Sequence, residues 1–134
     1  MNELDCAFPS LPGAYLLVLT ATQAATIRVG RLGQQDVTPG CYLYAGSALG
    51  AGGLRGRLRH HLHVATRPHW HVDYLLDEPD VALAGVWAWR TAAPLESALA
   101  AWLAAQPGIT PLAAGLGASD DRGQTHLLRL ASGE

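Results

Sequence analysis

A chain of 134 residues has the size of one domain and can bury roughly two thirds of the surface its unfolded form exposes. An apolar fraction of 49% with 15% charged residues excludes an intrinsically disordered chain, and the most apolar stretch, residues 81–105, is broken by Arg90, Pro94 and Glu96, short of the ~18 uncharged residues a membrane span needs. The formal net charge of −2 argues against a protein held to nucleic acid by bulk positive charge.

Residues 1–12 mix Pro9 and Pro12 with polar and apolar residues without periodicity and read as a loose lead-in, followed by a single domain over residues 13–134. Branched and apolar residues at 14–20 and 26–31 predict two strands joined by a turn, as a hairpin. Pro39-Gly40 marks another turn, and the aromatic run Cys41-Tyr42-Leu43-Tyr44-Ala45 predicts a third strand ahead of any helix. Glycines at 46, 50, 52 and 53 form a connector, after which Leu54, Leu58 and Leu62 define one face of a helix over residues 54–63.

Positive charge is concentrated in this region. No acid occurs between Asp36 and Asp73, while Arg55, Arg57, Arg59 and Arg67 alternate with His60, His61, His63, His69 and His71. All nine basic residues are arginine, which suits bidentate phosphate contacts but equally reflects composition. Residues 69–76 fit a helix better than a strand. Residues 81–89 read as a buried strand; Trp87 and Trp89 are a candidate contact surface, although such residues more often lie in the core. Residues 94–106 read as a helix with Pro94 at its first position and Leu95, Ala98, Leu99, Trp102 and Leu103 facing inward. A last strand spans 125–130 after a polar loop at 115–123. The expected fold is α+β, a small, mostly antiparallel sheet flanked by helices. Two cysteines, Cys6 and Cys41, and no apolar leader fit a reducing, cytoplasmic setting.

Gly13-Ala14-Tyr15, Tyr44-Ala45-Gly46-Ser47, Leu54-Arg55-Gly56-Arg57-Leu58 and a helix-borne Glu96 occur in that order. In this order the chain resembles the GIY-YIG nuclease superfamily. Residues 42–50, Arg59-His60-His61-Leu62, the run from His69 to Leu76, Gly117-Ala118-Ser119-Asp120 and Thr125-His126-Leu127 are similar to one small branch of it, found alone or fused to glycosylases of the endonuclease III type. The resemblance covers residues 13–130. Alanine stands for isoleucine at Ala14 and Ala45, the late asparagine has no counterpart, and Ser97, Asp121 and Gly123 stand where the branch often has cysteine.

The resemblance implies a metal-dependent DNA endonuclease working in repair or processing. Its catalytic residues would be Tyr15, Tyr44, Arg57, His61 and Glu96, with Glu96 holding Mg²⁺ or Mn²⁺, and Gly46, Ser47, Arg55, Arg59, His69 and His71 contacting substrate. Arg57 would clamp the phosphate with its planar fork. Tyr15 or Tyr44 would act as general base if its phenol, with an ordinary pKa near ~10, were depressed by metal and arginine, and His61 could share that transfer. With a net charge of −2, DNA affinity would be weak without a repair partner protein.

Each residue also has a plainer reading. Tyr15 and Tyr44 suit sheet packing, Glu96 suits a helix first turn at ~0.3–1 kcal/mol, and the arginines suit a solvated helix face. Two other functions stay open: a nucleic-acid-binding accessory module without turnover, and a zinc metallohydrolase using the His69-x-His71-x-Asp73 run.

Overall fold

The computed structural model describes residues 9–28, 34–50, 52–62, 71–111 and 127–130. Strands β1 (Gly13–Ala21), β2 (Ala25–Arg28), β3 (Gln34–Val37) and β4 (Gly40–Ala48) precede helix α1 (Gly53–Leu62) and helix α2 (His71–Leu76). Strand β5 (Val81–Arg90), helix α3 (Glu96–Ala104), and strands β6 (Ile109–Pro111) and β7 (Leu127–Leu130) follow. The architecture is α+β: a five-stranded antiparallel sheet in the order β5-β1-β4-β7-β6, with β2 and β3 as a separate two-stranded ribbon. No helix among the described residues is long and apolar enough to cross a membrane.

β1 and β4 read as almost continuous apolar runs because they are inner strands and both their faces are covered. On one face Tyr15, Leu17, Leu19, Tyr42 and Tyr44 pack with Leu54 and Leu58 of α1 and Val72 and Leu75 of α2. On the other, Leu16, Val18, Leu43 and Leu128 pack with Leu99 and Leu103 of α3. The core therefore lies in two layers, one on each side of the sheet.

Four expectations are corrected. The hairpin partner of β2 is β3, whereas β1 pairs with β4 and β5; Gln34–Val37 carries too little apolar pattern to announce a strand. α3 starts at Glu96 with Leu95 as its N-cap, so Pro94 lies before it. Its buried residues are Ala100 and Leu103, while Leu95, Ala98 and Trp102 face out, Trp102 at 61% exposure. Trp87 and Trp89 are likewise exposed, at 58% and 46%. β5 is an edge strand and α3 packs over β4, β6 and β7, which leaves the α3 side of β5 uncovered.

The expected loose lead-in is tied down where it is described. Leu11 O accepts from Leu54 N at 2.9 Å, Pro9 O accepts from Arg55 N at 3.1 Å, and Pro12 O accepts from Thr91 N at 3.1 Å. The first two bonds satisfy N–H groups that the first turn of α1 cannot satisfy itself. This close approach requires glycine at 53, which has φ +59 and where a Cβ would overlap the Leu11 backbone.

Candidate active site

The site lies where the start of β1 meets the end of β4. In the antiparallel register Tyr15 faces Gly46 and Ala14 faces Ser47, so the Gly-Ala-Tyr and Tyr-Ala-Gly-Ser motifs form one ladder. The Tyr15 ring crosses β4 over Gly46, where a Cβ would overlap the ring and hydroxyl. Gly46 is thus a clearance for Tyr15. The Tyr15 and Tyr44 rings are tilted at 47° with centroids 6.2 Å apart.

α1 delivers three further groups to this ladder. Arg57 donates from Nη1 to the Ser47 carbonyl at 2.8 Å. One turn on, His61, 1% exposed, sits with Nε2 2.7 Å from Tyr15 Oη and Nδ1 2.8 Å from Asp73 Oδ1. His60 Nε2 lies 3.0 Å from Asp73 Oδ2. An ionised carboxylate only accepts, so His61 donates its Nδ1–H to Asp73 and presents the Nε2 lone pair to the phenol. Tyr15 is then the donor, giving a buried line Tyr15–His61–Asp73.

Glu96 arrives from the opposite layer. The Ser47 hydroxyl donates to Glu96 Oε2, so Ser47 is touched by Arg57 through its carbonyl and by Glu96 through its side chain. Of the predicted catalytic residues, Tyr15, Tyr44, Arg57, His61 and Glu96 are brought together. Arg55 is partly exposed and Arg59 exposed on α1. His69 lies outside the described residues, and His71 opens α2, its side chain outside them too.

Burial raises the pKa of both Tyr15 and Tyr44 above 10.0, with the Arg57 guanidinium opposing this only in part. Burial thus disfavours a free phenolate, and the Arg57 guanidinium alone does not offset it. His61 is lowered from 6.5, chiefly by burial, against the opposing hydrogen bond and charge of Asp73. It is a neutral acceptor at neutral pH.

Asp73 is the residue that sequence reasoning missed as a partner of His61, having placed it with His69 and His71. A signal was present: a lone acid inside an apolar helix, following a long acid-free segment rich in histidine. Both its oxygens are engaged by His60 and His61. Among the described residues no group of three or more His, Cys, Asp or Glu is arranged to hold a metal ion. A single carboxylate, Glu96, with the neighbouring Ser47 hydroxyl, offers hard oxygen donors of the kind a strongly hydrated divalent ion takes.

The family model described as Domain of unknown function DUF123 matches residues 14–134, a span that includes every residue of this cluster. The chain belongs to this family. No curated protein and no solved structure matches. Within this DUF123 domain the matched segment begins at Ala14, the residue before Tyr15, and includes both sheet layers.

Proposed function

We propose that this DUF123 domain is a metal-dependent endonuclease that hydrolyses phosphodiester bonds in DNA, as its resemblance to the GIY-YIG superfamily implies. The observation that carries the reading is the convergence of Arg57 and Glu96 on Ser47, beside the Tyr15–His61 hydrogen bond. Such hydrolysis needs a proton acceptor for water, a cation against the charge growing on the nonbridging oxygens, and stabilisation of the leaving oxygen.

Tyr15 takes the proton of the attacking water on its oxygen while its own proton moves to His61 Nε2. The phenol is then never a free phenolate, the state its burial disfavours. Arg57 supplies the planar cation for the phosphate. Glu96 would hold Mg²⁺ or Mn²⁺, which when bound supplies Lewis-acid stabilisation of the leaving oxygen. Arg55 and Arg59 provide phosphate contacts on the outer face of α1. With a net charge of −2, affinity for duplex is low, and a repair partner protein supplies the rest.

The test is incubation of the purified protein with labelled branched, nicked and single-stranded DNA in Mg²⁺ or Mn²⁺, alongside Glu96→Ala and Arg57→Ala. Metal-dependent cleavage lost in both variants is expected. Binding without cleavage of any substrate would instead make the protein an accessory module.

A further inference from the structure

We propose that Asp73 is a positioning residue of this site, whose carboxylate fixes His61 in the tautomer that can accept the Tyr15 proton. The inference rests on the hydrolytic reading above and extends it to a residue that touches no substrate.

Asp73 is fully buried on α2 between Val72 and, two positions on, Leu75, both 0% exposed. A carboxylate in such a place is costly unless each oxygen has a donor. α1 provides both donors from adjacent residues, His60 to Oδ2 and His61 to Oδ1. With both oxygens engaged, the carboxylate plane is set and with it the His61 ring.

The direction of the line follows. The groups facing His61 are Tyr15 from β1, Tyr44 from β4, Arg57 and His60 from α1, and Asp73 from α2. Of these groups, the ones among the described residues, only Asp73 carries negative charge. A proton on Nε2 instead of Nδ1 would point an imidazole lone pair at the carboxylate and make the Tyr15 oxygen an acceptor, leaving no lone pair on Nε2 to take the phenol's proton. In turnover the water proton goes to Tyr15 Oη and the Tyr15 proton to His61 Nε2. The resulting imidazolium keeps its Nδ1–H against Asp73, which balances the charge and takes no proton itself. A mere clip between α1 and α2 would need the same tautomer, so the turnover of a folded Asp73 variant is what separates it from a positioning role.

Two measurements decide the matter. In the wild-type protein, imidazole ¹⁵N shifts at neutral pH should show His61 neutral and protonated on Nδ1; an Nε2–H tautomer would overturn the proposal. Asp73→Asn should lower kcat by about 10²-fold or more, up to the roughly 10⁴-fold lost when a triad imidazole loses its orienting carboxylate, with KM within about threefold and DNA binding retained. A kcat loss of only a few-fold in folded variant would overturn it as well. If wild-type protein cuts no DNA, the nuclease reading fails alone, and if the variant does not fold, kcat is not read; in both cases the wild-type tautomer still decides where the proton sits.

Discussion

Tyr15 lies directly across the ladder from Gly46, and its ring fills the space that any side chain at 46 would need. The glycine of the second motif thus serves the tyrosine of the first. Gly46→Ala forces the phenol away from His61. Overpacking of this kind costs about 1–3 kcal/mol, so the thermal midpoint should fall by several degrees. A displacement near 1 Å can cost about 10²-fold in rate, so activity should fall further than folded fraction. Calorimetry with single-turnover cleavage checks both.

Ser47 joins the two layers through different atoms, its hydroxyl to Glu96 and its carbonyl to Arg57. Ser47→Ala removes only the first. It should leave Arg57 in place and cost at most about 1 kcal/mol of stability, while weakening activation by Mg²⁺ or Mn²⁺ by about 10-fold or more, as loss of a ligand-orienting hydrogen bond does. A metal titration of activity at fixed DNA concentration reads this. An unchanged titration would detach Ser47 from the metal's carboxylate.

Acid should unfold the protein through His61. Its folded pKa is lowered from 6.5, so the unfolded chain binds the proton more readily and stability falls as pH drops below about 6.5, by up to about 1.4 kcal/mol per pH unit, until the folded pKa is reached. Tyr15 acts at the other end: its folded pKa is raised above 10.0, so its contribution is complete below about 10 and is lost as pH rises beyond. Unfolding midpoints from pH 5 to 11 should therefore decline at both ends. His61→Phe should flatten only the acid limb.

The grouping of the candidate site residues was more legible in the sequence than the packing. Tyr15, Tyr44, Arg57 and Glu96 follow from motif order; the β1–β4 register brings the two tyrosines together, and hydrogen bonds to Ser47 bring Arg57 and Glu96 to them from the helices on either side. The partner of His61 was not legible, because Asp73 meets it only through the packing of α2 on α1, a contact with no fixed spacing. Trp87, Trp89 and Trp102 misled for a related reason. Their apolar character predicts burial, but burial depends on which part of the sheet α3 covers. β3 and β6 were missed because Gln34–Val37 and Ile109–Pro111 are too short and too mixed to show alternation.

Residues 9–12 carry none of the motifs, yet Pro9 and Leu11 close the first turn of the helix that bears Arg57 and His61. The boundary suggested by the family match, at residue 14, therefore falls inside the working unit. A fragment cut there would keep every candidate site residue and lose the backbone bonds that close the first turn of α1, so a shortened protein that fails to cut DNA would report on those missing bonds before it reported on the proposed chemistry.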